Sequence, residues 1–236
     1  MLFSTTQLSR VHHLDDKDHP SFNVEYEGSV IERTTCYKLL GVQFDQHLNW
    51  KQHVDKVVKA VNSKLITLKH LKRTANYQLR KQLATLLLSK IDYCNAILSN
   101  APKYRIDKIN RLLRQAASFV LFKYCTTREV IGLKWLPAKF RAEFSLLKMA
   151  HKAINDEEYP RYLKNIHLTE HRRNTRSTNT TTYCTTAHDS TFAGACSRLL
   201  NNLPVTLRKE ENYEIFSREV KKFLLDSSLA FQLSIN

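Results

Sequence analysis

Side chains able to do covalent or metal chemistry are scattered in this chain, and none forms a usable constellation. Two-metal phosphoryl transfer needs close carboxylates on adjoining backbone. Asp15-Asp16 is a tight acid pair, but it sits in a polar stretch with no strand to present it. Asp45 follows an apolar stretch and lacks an obvious partner. His12, His13 and His19 lie among Asp15, Asp16 and Asp18 without a zinc-ligand spacing, so a surface loop is the simpler reading. Cys184, His188 and Cys196 would want a fourth ligand to hold zinc. There is no GxSxG, no Walker loop and no GxGxxG. The sequence therefore predicts no active site, no cofactor and no metal centre of its own.

Charge is what the chain offers instead. It carries 37 Lys and Arg against 22 Asp and Glu, a net +15. Between Leu48 and Cys125 there are 16 bases and three acids (Asp55, Asp92, Asp107), a balance of +13 with no Glu at all. Residues 1–47 carry −3 and residues 126–236 carry +5. A helix face that is merely solvated usually mixes signs, because opposite charges at i,i+4 support each other. Bases without acids repel one another unless an anion lies between them, and phosphate is the common one.

The elements that would carry this charge are helices. Val54, Val57, Val58, Val61, Leu65 and Leu68 recur at steps of three and four, the stripe of an amphipathic helix. Lys56, Lys59, Lys64 and Lys69 project from the rest of its circumference. Asn49 is the expected N-cap, with Trp50 just inside. A second helix is expected from about Tyr77 to Leu98, with Leu79, Leu83, Leu86, Leu87 and Ile91 as its apolar side. Ala101-Pro102 breaks the pattern. In a third helix Ile106, Ile109, Leu113, Ala116, Ala117 and Val120 face inward, and Arg105, Lys108, Arg111 and Arg114 follow at intervals of three. Three such helices make a small bundle.

The flanks differ. Phe22 to Tyr26 alternates, Gly28-Ser29 signals a turn and Val30-Ile31 resumes, which predicts a hairpin. Tyr37 to Phe44 reads as one further strand. Residues 127–136 read as a linker with short helical tendencies, followed by a helix in which Phe140, Phe144, Leu147 and Ala150 face one way. Residues 169–191, rich in Thr, Arg, Asn and His, read as a mobile loop whose Arg172, Arg173 and Arg176 touch phosphate or solvent. A last helix spans about Asn212 to Asp226. The predicted fold is mainly α: short N-terminal β-hairpins or strands (1–47), a basic helical bundle (48–125) and a further helical region (126–236). Five cysteines without a CxxC pair suggest reduced thiols, and no signal peptide or membrane span is evident. That predicts an intracellular protein, nuclear or cytoplasmic, with no membrane partner.

Several motifs in order resemble one family, the reverse transcriptases of non-LTR (LINE-type) retrotransposons of the jockey and chicken-repeat kind. Tyr37-Lys38-Leu39-Leu40-Gly41-Val42 resembles that family's YLGV-type strand after the polymerase palm. Ser89-Lys90-Ile91-Asp92-Tyr93-Cys94-Asn95 resembles its S-R-L-D-Y-C-N, and Ile106-Asp107-Lys108-Ile109-Asn110-Arg111 its I-D-K-L-Q-R. Leu133-Lys134-Trp135-Leu136-Pro137 resembles L-H-W-L-P. Phe192-Ala193 and Arg198 through Pro204 resemble F-S-V-A-A-P-R-L-W-N-S-L-P, with Leu200 where the family has Trp.

The resemblance implies an RNA-directed DNA polymerase's C-terminal part. Residues 22–44, with Leu40, Gly41 and Val42, would be primer-grip-like, and 48–125 a thumb that holds the template–primer. The parent enzyme's Mg²⁺ and its Y/F-A-D-D carboxylates would lie before the region where this chain begins, so the chain is not expected to be an enzyme alone. The expected partner is RNA or an RNA–DNA hybrid, read through its backbone and shape. Lys51, Lys59, Lys103, Arg105, Lys108, Arg111 and Arg114 are the expected phosphate contacts. Two alternatives stay open: a helical protein-interaction or self-association module, and a non-functional truncated gene product.

Overall fold

The computed structural model describes residues 25–31, 34–166, 182–184 and 191–235. The fold is mainly helical, with short antiparallel strand pairs ahead of the helices, as expected. In the first hairpin β1 (Glu25–Tyr26) pairs with β2 (Ser29–Val30) around Glu27-Gly28. Phe22 to Val24 lie outside the described residues. The stretch expected as one strand over 37–44 is instead a hairpin: β3 (Cys36–Leu39) pairs antiparallel with β4 (Val42–Asp45). Leu40 (φ 46°) and Gly41 (φ 88°) form its two-residue turn. Positive φ at both central residues gives the backbone twist that closes two-residue hairpins. Glycine supplies it freely, so the apolar alternation hid a chain reversal.

Three long helices follow. In α1 (Lys51–Lys69), Val54, Val61 and Leu65 are buried, as the stripe predicts. Its start differs from expectation. Trp50 stands outside the helix at φ 61° and is packed edge-on against Phe44, with ring centroids 5.6 Å apart. Asp45 braces this entry: its Oδ1 accepts from the backbone N–H of His47 (3.3 Å) and of Asn49 (3.0 Å). Asn49 Oδ1 in turn accepts from the Lys51 N–H, one residue earlier in the chain than a standard cap would sit.

Helix α2 (Tyr77–Asp92) is capped by Asn76, whose side chain accepts from the Leu79 N–H at 2.8 Å. It stops short of Leu98 because Cys94 adopts a left-handed conformation (φ 53°), after which Asn95–Asn100 forms a 3₁₀ helix. Its buried residues are Ala84, Leu88 and Ile91. Leu79 and Leu86, expected inside, are exposed. A leucine-rich run cannot all face one way, and the small Ala84 marks the side on which neighbouring helices approach. Helix α3 (Lys103–Leu121) buries Ile109, Leu112, Leu113, Ala116, Ala117, Phe119 and Val120, and ends at Phe122 (φ 60°). All three helices pack on one another around these side chains.

Residues 127–136 are not a linker. Thr126 and Glu129 form a reciprocal capping box for α4 (Thr127–Gly132), and Val130, Leu133 and Trp135 complete the core of the bundle. Leu136 begins a second core with Leu147, Ala150, Cys196, Leu200, Phe216 and Val220. That core joins α5 (Ala138–Asn155), α6 (Phe192–Asn201), α7 (Val205–Arg208) and α8 (Tyr213–Ile235), the last running past the expected Asp226. Leu200, at the position where the resembled family has Trp, is buried there. Much of 169–191, including Arg172, Arg173 and Arg176, lies outside the described residues. Tyr183 within it is buried, and its backbone N–H and C=O both bond the Asn201 amide, at 2.8 and 2.9 Å.

The two cores are tied together by polar contacts. Arg141 Nη1 meets Asp92 Oδ1 at 2.5 Å, and Arg141 Nε donates to the Leu136 carbonyl at 2.7 Å. The Ala138 N–H donates to Asn110 Oδ1 at 2.9 Å. Among the described residues, no helix is long and apolar enough to cross a membrane.

Candidate nucleic-acid interface

The seven expected phosphate contacts do not share one face. An α-helix turns by ~100° per residue, so each step of three falls back by ~60° around the axis. Four bases at intervals of three thus sweep halfway round the helix. Arg105, the first, points into the protein and is 4% exposed. Its Nη2 donates to Asn49 Oδ1 (3.2 Å) and to the Tyr104 hydroxyl (2.8 Å), and its guanidinium lies over the Tyr104 ring. No described carboxylate pairs with it, and its Nε has no hydrogen-bond partner among the described residues. Arg105 therefore clamps the start of α3 to the turn before α1 and is not available to a duplex. The expectation that it touches phosphate is corrected on that ground.

Lys108, the second, lies at the edge of α3 that faces α1, where its ammonium meets Asp55 at 2.5 Å. Arg111 is exposed and Arg114 half-buried. On α1, Lys51 and Lys59 lie on the side of Asp55, at the α3 edge of the open face, and both are exposed. Lys51, Lys59 and Lys108 thus lie along the seam between α1 and α3, with Arg111 one turn on from Lys108 and ~60° further round α3. Lys103 belongs elsewhere: it borders a hollow against Pro137 and Phe140 on the other edge of α3.

The remaining bases of the bundle surround it. Lys64 of α1 and Lys90 of α2 are close enough that the Lys64 ammonium, through a side-chain contact and its charge, lowers the Lys90 pKa. Lys72 and Arg80 both stack on the ring of Phe122, 4.6 and 4.2 Å from its centroid. Sequence spacing gave no sign of either pairing, because each joins residues far apart in the chain. Two of the bundle's three acids are already engaged, Asp55 by Lys108 and Asp92 by Arg141.

The primer-grip-like residues occupy the tip of the β3–β4 hairpin. Leu40 is 83% exposed at the tip, whereas Val42 is buried against the bundle. The Tyr93 hydroxyl donates to the Leu40 carbonyl at 2.6 Å, fastening the tip to the end of α2. Among the described residues no three His, Cys, Asp or Glu side chains could together hold a metal ion. His188 lies outside that set, and Cys196 is a core thiol whose pKa burial pushes up to about 12. A thiol held protonated is a poor zinc ligand.

No protein-family model, no curated protein and no solved structure matches this chain.

Proposed function

We propose that this chain is a nucleic-acid-binding part of a non-LTR retrotransposon reverse transcriptase, holding template–primer duplex against the α1–α3 seam. The observation that carries the reading is the imbalance of charge in one compact bundle. It has 16 bases against three acids, and two of those acids are already engaged, Asp55 by Lys108 of the bundle and Asp92 by Arg141 of α5. Lys108 pairs with Asp55, Lys123 with Glu129 and Arg105 is buried, while Lys51, Lys59 and Arg111 are exposed without an ion-pair partner among the described residues. The ordered motif resemblances are what support a reverse transcriptase as the parent enzyme and an RNA–DNA hybrid as the duplex. The sequence holds no Y/F-A-D-D segment, so the role proposed for these residues is grip.

The test is a salt series with a labelled RNA–DNA hybrid. Each phosphate neutralised releases condensed counterions, with a slope of about −0.9 in log affinity against log salt for DNA duplex. The three bases without an acid partner, Lys51, Lys59 and Arg111, predict a slope of about −2.5 to −3 on that scale. An affinity that does not change between low and moderate salt refutes the reading.

A second reading has its own observation. Leu79 and Leu86 stand exposed on α2, one heptad apart, on a face no described element covers. That favours self-association through α2. Sizing at two salt concentrations without nucleic acid separates the two, since an oligomer formed by apolar contact survives salt.

A further inference from the structure

A second lysine-rimmed surface lies where the end of α2 meets α5 and α8. Two adjoining clefts, of about 220 and 330 Å³, share Asp92, Asn95, Ser145 and Lys148 as lining. Lys134, Lys148 and Lys221 border the first and Lys148 and Lys152 the second. Asp92 is the acid of this lining, and Arg141 already neutralises it. None of the four lysines has an ion-pair partner among the described residues. At the floor sits Asn95, 4% exposed, whose Oδ1 is buried with no hydrogen-bond donor in reach. A buried acceptor without a donor costs of the order of 1–3 kcal/mol, so a ligand or water that donates to it is favoured there. Lys148 also lies over the Phe144 ring at 4.8 Å, which gives the first cleft a flat apolar wall.

Lysines on the rim, an aromatic wall and a buried acceptor together fit a nucleotide: phosphate outside, base inside. Each cleft alone is smaller than or at the low end of ordinary ligand pockets, roughly 300–1,000 Å³. Joined at Asn95, with lysines along both, they suit successive residues of a strand better than one free nucleotide. We infer that this double cleft binds an unpaired, phosphate-bearing stretch of a nucleic-acid strand, with a base N–H donating to Asn95 Oδ1 and Lys134, Lys148, Lys152 and Lys221 against its phosphates. The inference extends the duplex-binding reading but uses none of the seam residues. The cleft and the seam share no lining residue, so one chain can offer a separate site to each.

The test titrates the full chain with a 5′-phosphorylated trinucleotide of adenine, with adenosine 5′-phosphate and with inorganic phosphate, following Trp135, which lines the first cleft. The trinucleotide is expected to bind at least ten-fold more tightly than the mononucleotide. Lys148→Gln with Lys221→Gln is expected to weaken it about ten-fold, and Lys59→Gln with Arg111→Gln to leave it unchanged. All four positions are exposed or half-exposed, so these variants should fold. Equal binding of trinucleotide and inorganic phosphate, or no effect of the cleft variants, overturns the site and leaves water as its occupant. Equal binding of trinucleotide and mononucleotide overturns the strand assignment. Loss through the seam variants instead overturns the separation of the two sites, and loss of hybrid binding alone in those variants leaves the cleft standing.

Discussion

Replacing Arg105 by Ala should unfold more than it unbinds. The guanidinium is buried, makes two hydrogen bonds through Nη2 and stacks on Tyr104. Hydrogen bonds from a charged donor contribute ~1.5–3 kcal/mol each, and the truncated side chain leaves a cavity. Because one nitrogen serves both acceptors and Asn49 Oδ1 keeps its bond from the Lys51 N–H, the lower end applies, and the sum is about 2–4 kcal/mol. That is a large share of a stability of the order of 5–15 kcal/mol. Arg105→Met should cost far less, within ~1 kcal/mol. It fills much of the same space and removes an ion buried without a carboxylate and with an unpartnered Nε. Arg111→Ala, at an exposed site, should leave stability within ~0.5 kcal/mol and reduce the salt slope of hybrid binding by about one contact. Urea denaturation followed by circular dichroism measures the first two, and fluorescence anisotropy the third. An Arg105→Ala protein with an unchanged unfolding midpoint and weakened binding would refute the argument, since it would make Arg105 a ligand-facing base.

Further outcomes follow from other contacts. His53 and His151 are pushed below the ordinary 6.5, His53 by burial and then Lys56, and His151 by burial against an opposing bond to the Glu210 carbonyl. A group with a depressed pKa stabilises the fold above its unfolded value, so the denaturation midpoint should fall as pH drops below about 6.5. A flat midpoint from pH 7.5 to 5.5 counts against this. His53 Nδ1 accepts from the Gln43 N–H, so the same protonation should also loosen β4 from α1, visible as faster amide exchange at Gln43. Gly41→Ala should cost about 1–2 kcal/mol by denaturation, because Gly41 sits at φ 88° while the added Cβ meets the Tyr93 ring only at an ordinary 3.5 Å. Thr126→Ala should cost ~1 kcal/mol. It should also let the Glu129 carboxyl, held at about 2 chiefly by Thr126 and then Lys123, rise toward its ordinary 4.5 in an NMR titration.

Much of the helical frame is legible in the sequence, and the reason is period. Val54, Val61 and Leu65 mark α1, and Ile109, Leu113 and Val120 mark α3, because each faces a core on one side only. The same rule misleads where apolar residues are too many. In Leu86-Leu87-Leu88 only Leu88 is buried, and packing rather than period selects it. Turns set by φ are equally hidden, since Leu40 in a left-handed conformation has no signature beyond the glycine after it. Residues 127–136 read as a linker because a six-residue helix is too short to show a period, and the burial of Val130, Leu133 and Trp135 depends on a bundle assembled elsewhere. The basic surfaces were legible in amount but not in place. Counting bases located the charge in 48–125, while only the helical twist separates Arg105 from Arg111. The double cleft was invisible, since Asn95, Lys134, Lys148 and Lys221 come from four separate segments.

Duplex along the α1–α3 seam is read directly by lysine footprinting. The protein is treated with an amine-reactive label with and without a blunt RNA–DNA hybrid, and each lysine is quantified by mass spectrometry. Duplex at the seam protects Lys51 and Lys59 and leaves Lys209 and Lys222 of the C-terminal region, both exposed, labelled as before. Protection spread evenly over all lysines, or confined to those outside α1 and α3, would contradict it.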